Sequence, residues 1–524
     1  MWNSGYVSDV DYTFGHFSFL SPNSLKLAAL LEGGKHGVPE NPTYLELGFG
    51  QGVSLNMHAA SNPGQYWGAD FSPSQTATAS EYAEHGAGNL QLFEDSFEDL
   101  LQRRDLPQFD IIVLHGIWSW VPRKAREAIT HIARDHLKPG GLFYVSYNVK
   151  AGWEGTRSLR DLMAQHYRTN RRGSVAERVK AALSYATEVL EADAKFFSNN
   201  PIAKAQLEDM KKKDPVYIAH EFFNETWNPM HFSEVCEELS HAKLDHLGSS
   251  TLLDGLESIH LTPKAQDILR GASDKRIKGD LWDAFVSQRF RRDIFVKGLR
   301  AHIPQSRLRL LLKQRFVLTK LAEKLPATIK GARGTANLDQ DLYGRIVRAF
   351  SEANAYILSV QDILASPECT SIPFAQLEQA IRVLVDIDMI APVSSEETIT
   401  SVKPTTERLN IKLCQDAAFD DSVKFLASPV TGSGVAVSRF EQLFIISLSR
   451  GLADPSKYIW QLFEAQGQRL QKEGKLLETA EANQAELQSQ LDAFRENRLP
   501  LLHRLGIVSA EGKLDLSCEE PLKG

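Results

Sequence analysis

Between residues 41 and 150, short apolar runs alternate with stretches of helical character. The first run leads directly into a glycine-rich turn, Glu46-Leu47-Gly48-Phe49-Gly50-Gln51-Gly52. Tyr44–Leu47, Tyr66–Asp70, Gln91–Phe93, Phe109–Leu114 and Leu142–Tyr147 read as strands, with helices such as Ser74–His85 and Arg123–His136 between them. The apolar run from Phe109 to Leu114 suits a strand covered on both faces. Alternation at this spacing predicts an α/β fold with a parallel, doubly wound sheet. Such sheets bind ligands at the carboxyl ends of their strands.

The turn narrows the ligand. Glycines let the backbone bend sharply and approach a small molecule closely, and the helix that follows offers unpaired N–H groups. A dinucleotide site would read GxGxxG, with pyrophosphate at the helix end. Here the pattern is GxGxG, with Glu46 two positions before Gly48 and with Gly50 and Gly52 completing it. That arrangement suits S-adenosylmethionine (AdoMet), which has no phosphate: its carboxylate can use the amides and its ammonium a nearby carboxylate. Asp70, closing the second strand and followed by Phe71, is placed to accept both ribose hydroxyls, although capping the next helix is a competing use. Asp95-Ser96-Phe97 follows the third strand and is expected to meet the adenine. His115-Gly116 ends the fourth strand and is expected beside the cofactor.

The longer strings resemble bacterial class I AdoMet-dependent methyltransferases that carry a methyltransferase regulatory domain. They are ELGFGQGVSLNMHAA, LHGIWSWVP and YVSYNVKAGW, then YIAHEFF, SQRFRRDIFVKG and LASPVTGSGVAVSR farther along. The resemblance includes rickettsial protein-lysine methyltransferases of outer-membrane proteins. It implies AdoMet as cofactor and a Rossmann-like domain over residues 1–160. A helical regulatory middle would cover 161–326, with dimerisation a candidate role. A winged-helix-like domain over 340–400 and an α-rich C-terminal domain over 401–524, suited to substrate docking, would follow. It also implies a protein lysine as methyl acceptor. Relatives often read SYNTLPGW where this chain has Ser146-Tyr147-Asn148-Val149-Lys150-Ala151-Gly152-Trp153, a change in the loop expected to line the acceptor entrance.

On the acceptor side, Trp118, Trp120, Tyr147 and Trp153 follow the fourth and fifth strands and are candidates for an aromatic pocket that desolvates an amine and attracts its cation. Core packing is the competing role for Trp118 and Trp120. His115 and Asn148 are candidates to orient the acceptor, and Tyr12 with Phe14 to begin a lid. His220, Glu221 and Trp227 read as interdomain structure. A small-molecule or glycan acceptor is the alternative to a protein, and a non-catalytic scaffold is disfavoured by the intact loop and Asp70.

The rest of the chain excludes more than it specifies. Net charge is −7 and the four cysteines are scattered, so neither a zinc site nor a disulfide framework is suggested, and no metal is expected. The helix expected over Pro373–Ile390 carries Arg382 against Glu378, Asp386 and Asp388, which disfavours nucleic acid. No run approaches a membrane span and the N-terminus lacks signal-peptide character, so a cytoplasmic location is expected. Residues 327–340 read as a linker, and Ser456 to about Arg504 as a helical region with a break at Gly474.

Overall fold

The computed structural model describes residues 14–86, 88–352 and 356–518. Tyr12 lies outside them. The centre is a seven-stranded sheet whose strands, in chain order, are β1 (Thr43–Leu47), β2 (Gln65–Asp70), β3 (Leu90–Glu94), β4 (Phe109–Leu114), β5 (Leu137–Asn148), β6 (Leu244–Ser249) and β7 (Phe290–Lys297). Their spatial order is β3-β2-β1-β4-β5-β7-β6. β1 to β5 pair in parallel, and β7 runs antiparallel between β5 and β6. The order reverses between β1 and β4, which creates the crevice where such sheets bind ligands. β4 is buried along its whole length, as its composition requires.

The sheet is completed from beyond residue 160. β6 and β7 come from the stretch expected to form a separate middle domain, so the division at 160 does not coincide with an edge of the sheet. The helices of residues 150–222 are an excursion between β5 and the strands that close the sheet, and they bury their own apolar cluster around Met163, Leu207, Phe222 and Trp227. β7 is masked in the sequence by the buried charges it carries. Arg291 Nε donates to Asp283 Oδ1 (2.8 Å) and Arg291 Nη1 to Asp293 Oδ1 (3.1 Å). Burial would raise the Asp293 carboxyl, but Arg291 and His246 hold it down at about 2.

Residues 327–340 are not a plain linker. Thr328–Gly331 and Gly334–Asn337 pair as an antiparallel hairpin, and Ile329 seals it against Leu253 and Val383. One buried apolar side chain is too weak a pattern to read as a strand. Farther on, helix Phe374–Asp386 is followed by strand Ile390–Pro392, the order expected of a winged helix. That strand pairs with Arg315–Leu318 from upstream, and helix Glu396–Asp416 comes next. Around Gly474, two-residue strands form a tight hairpin, and Leu487, Leu491 and Phe494 share one buried face beyond it.

The C-terminal part packs against the helix that follows the glycine turn. Helix Val53–Ser61 leaves the glycine turn and is buried throughout, because the sheet covers one side and C-terminal elements the other. Thr405 Oγ1 donates to the Ala60 carbonyl (2.7 Å) and Asn62 Nδ2 to the Gly432 carbonyl (2.7 Å). Among the described residues no helix is long and apolar enough to cross a membrane.

Candidate active site

The carboxyl ends of β1 to β5 open onto a cavity of about 450 Å³. Over β1 to β3 it is built from a single stretch of chain. Gly48, Gly50 and Gly52 have φ of +74°, +57° and +72°, values that L side chains adopt only with strain. A Cβ on Gly50 or Gly116 would meet no atom within 4 Å, so the backbone there lies open to a ligand. Gly50 N–H donates to Asp70 Oδ2 (2.9 Å) and Ser72 N–H to Asp70 Oδ1 (3.0 Å). These bonds lock the carboxylate against the loop and leave each oxygen a free lone pair. Burial raises Asp70 to about 6. Glu46 is buried with Oε2 unpartnered, and burial, then the charge of Asp70, pushes its carboxyl up to about 8.

Phe71, Asp95, Ser96 and Phe97 line the same end. Asp95 is ion-paired with Arg103, whose guanidinium lies 3.9 Å from the Phe93 ring centre. Ser96 caps the next helix by accepting Asp99 N–H (3.1 Å). His115 lines the cavity with Nδ1 within hydrogen-bond distance of Tyr144 Oη (2.9 Å) and Ser146 Oγ (3.0 Å). Burial, helped by Arg292, lowers it to about 3, so the imidazole is a neutral wall. Gly116 N–H donates to Ser146 Oγ (2.8 Å).

Over β4, β5 and β7 the lining comes from distant segments. Register places Asn148 opposite Phe290 where β5 ends and β7 begins, and both line the cavity with Trp120 and Trp153. Asn148 Nδ2 is a buried donor without a partner. Trp153 is fixed on several sides. Its Nε1 donates to the Arg289 carbonyl (3.0 Å), the Arg289 guanidinium lies 4.1 Å from a ring centre, and Trp227 meets it edge-on at 5.1 Å.

Two aromatic candidates lie elsewhere. Trp118 is fully buried beneath the sheet with Ile129, Phe232 and Val235. Residues 117–120 form a tight turn closed by Trp120 N–H to the Ile117 carbonyl (2.8 Å), so the two tryptophans diverge instead of sharing a face as strand residues would. Tyr147 points away from the cavity into the buried charge cluster and donates to Asp293 Oδ2 (2.7 Å). Phe14 packs on the C-terminal core, while Gly15 and Phe17 line the cavity. Phe17 is anchored by its N–H to Ser54 Oγ (2.8 Å), and its ring meets His115 at a tilt with 4.4 Å between centres. Residues unforeseen as site residues include Tyr217, Asn224, Arg289 and Phe290. His220 and Glu221, read as structural, line the cavity as well.

The residues fit AdoMet. The orphaned Glu46 oxygen suits an ammonium, the open glycine backbone a carboxylate, and the locked Asp70 a ribose diol. Residues 45–141 match the family model described as a methyltransferase domain, and residues 214–297 the one described as a predicted methyltransferase regulatory domain. The protein sll1526 of Synechocystis sp. is 36% identical over 509 residues, which is 97% of this chain and 99% of that protein. RP789 of Rickettsia prowazekii is 27% identical over 290 residues, 54% of this chain and 51% of its own. The structure of PKMT2 from Rickettsia typhi in complex with AdoHcy superposes with a TM-score of 0.68 at 17% identity, covering 95% of this chain and 99% of that one. The cofactor is AdoMet, and the chain, which shares its family with sll1526, is a class I AdoMet-dependent methyltransferase that carries a methyltransferase regulatory domain.

Proposed function

We propose that this methyltransferase N-methylates lysine side chains of a protein acceptor. The observation that carries the reading is that the cavity continues past the cofactor residues into a lining of Trp120, Trp153, Phe290, Asn148 and Glu221. That is an aromatic and polar end suited to a long chain with a cationic tip. The resemblance to rickettsial protein-lysine enzymes and the likeness to PKMT2 over nearly the whole chain point the same way.

When bound, AdoMet supplies the methyl group and leaves as AdoHcy. Glu46, the glycine loop and Asp70 hold it. The chain's other residues must align the acceptor nitrogen and exclude water, an alignment that alone lowers barriers by about 7–11 kcal/mol in well-oriented systems. A lysine amine with a solution pKa of about 10.4 must also lose a proton, and the aromatic walls favour the neutral form by desolvation. Asn148 Nδ2 offers a hydrogen bond to an acceptor atom near the end of β5. The helices of 150–222 and the C-terminal elements supply surface for a protein partner.

The test is incubation with methyl-labelled AdoMet and a bacterial cell lysate, followed by acid hydrolysis and amino-acid analysis. Label in methylated lysine is expected. Label confined to small molecules would overturn the protein-lysine reading and leave the small-molecule alternative.

A further inference from the structure

The acceptor side of the cavity has a carboxylate that the cofactor does not explain. Helix Pro215–Phe222 starts from a firm cap, Asp214 accepting the N–H groups of Val216 (2.8 Å) and Tyr217 (3.2 Å). Its apolar face, Ile218, Ala219 and Phe222, is buried in the helical cluster. That orientation turns Tyr217 and Glu221, one turn apart, together with His220 toward the cavity.

The charges around Glu221 are already engaged elsewhere. Lys213 Nζ sits 2.8 Å from Asp209 and 5.6 Å from the Tyr217 ring centre. Arg289 lies over Trp153 and donates to Gln206 Oε1 (2.7 Å). Among the described residues Glu221 makes no hydrogen bond or ion pair. Burial holds its carboxyl above the usual range, with Lys213 opposing the shift. The other lining carboxylates, Glu46, Asp70, Asp95 and Glu98, stand at the cofactor end. A partly desolvated carboxylate without a partner is costly unless a cation completes it.

We propose that Glu221 receives the acceptor's ammonium and takes its proton. The assignment rests on the reading of the acceptor as an amine. The ammonium N–H bond breaks, an O–H bond forms on Glu221, and the nitrogen keeps the electron pair that attacks the methyl carbon, forming the N–C bond as the bond from that carbon to sulfur breaks and its electrons leave with AdoHcy. The proton passes to water as product leaves. Tyr217, His220 and Asn224 from the same segment, Arg289 just before β7 and Phe290 at its start line the same cavity.

Two measurements test this. The first titrates n-butylammonium, a stand-in for the lysine tip, into the AdoHcy-loaded protein by calorimetry. Wild type is expected to bind it, Glu221→Gln at least about tenfold more weakly, and Glu221→Asp in between, while AdoHcy affinity stays the same in all three and shows the variants folded. Equal affinity in wild type and Glu221→Gln, or no binding by wild type, overturns the assignment. The second follows the rate of lysine labelling in the lysate against pH. General-base loss predicts a roughly 100-fold drop at neutral pH in Glu221→Gln, recovering toward the amine's own ionisation near about pH 10.4. Parallel pH profiles overturn the proton-transfer role and leave lysine methylation standing. Absence of methyl-lysine with wild type refutes lysine methylation instead, and the butylammonium titration still decides Glu221.

Discussion

The two ends of the cavity are made differently. The cofactor end is built mainly from residues 46–98, at the carboxyl ends of parallel strands or in the turns and helix starts after them, and its key contacts are local: Gly50 to Asp70, Ser72 to Asp70. The acceptor end is gathered from the turn after β4, the end of β5, a helix of the 150–222 excursion and the start of antiparallel β7. The first is a property of the doubly wound sheet. The second exists only because the chain leaves the sheet after β5 and returns to close it. The division predicts that cofactor binding and acceptor handling respond to different substitutions.

The largest effect should come from the residue that belongs to neither end. Trp118→Ala empties a fully buried site and should cost about 3–5 kcal/mol of stability, measurable by urea unfolding. Loss of turnover without loss of stability would instead place Trp118 in the acceptor pocket and erase its contrast with Trp120. Next, Gly50→Val puts a branched side chain at a left-handed position open to the ligand. AdoHcy affinity should fall about 100-fold or more, while backbone strain costs only about 1–2 kcal/mol. Unchanged affinity would remove the loop from the cofactor end.

A smaller effect is expected at Glu46, whose unpartnered oxygen awaits the cofactor's ammonium. Glu46→Gln should weaken AdoHcy about tenfold, in line with about 1.5–3 kcal/mol for a hydrogen bond to a charged group. It should also abolish proton release on binding at neutral pH, read by calorimetry in two buffers of different ionisation heat. The last effect is on the ligand-free protein. With its folded carboxyl at about 8, above the unfolded value, Glu46 keeps an extra proton on the folded state between about pH 4.5 and 8. Its contribution is present below that window and is lost as pH rises through it. Stability should therefore fall less from pH 5 to 8 in Glu46→Gln than in wild type. Asp70 acts in the same direction in both proteins, so the difference isolates Glu46, and identical slopes would contradict the buried, uncompensated carboxyl.

The same division explains what the sequence shows. Glu46, the glycines and Asp70 are legible because each sits beside a strand that announces itself by its apolar run. Trp118 and Trp120 are not separable by spacing, since the tight turn at 117–120 sends neighbours of one type to opposite sides. β7 hides behind Arg291 and Asp293, buried charges that satisfy each other and break the pattern of a buried strand. With β7 hidden, Phe290 could not be placed opposite Asn148, nor Arg289 beside Trp153. Glu221 reads as interdomain structure because nothing local shows that its helix covers a sheet edge some 70 residues back.

Calorimetric titration of AdoHcy into wild type, Asp70→Ala and Trp120→Ala tests whether the one cavity has separable cofactor and acceptor ends. Wild type is expected to bind, Asp70→Ala at least about tenfold more weakly, and Trp120→Ala within about twofold of wild type, a change below about 0.5 kcal/mol, as separation of the ends requires. No binding by wild type, or equal weakening in the two variants, would contradict it.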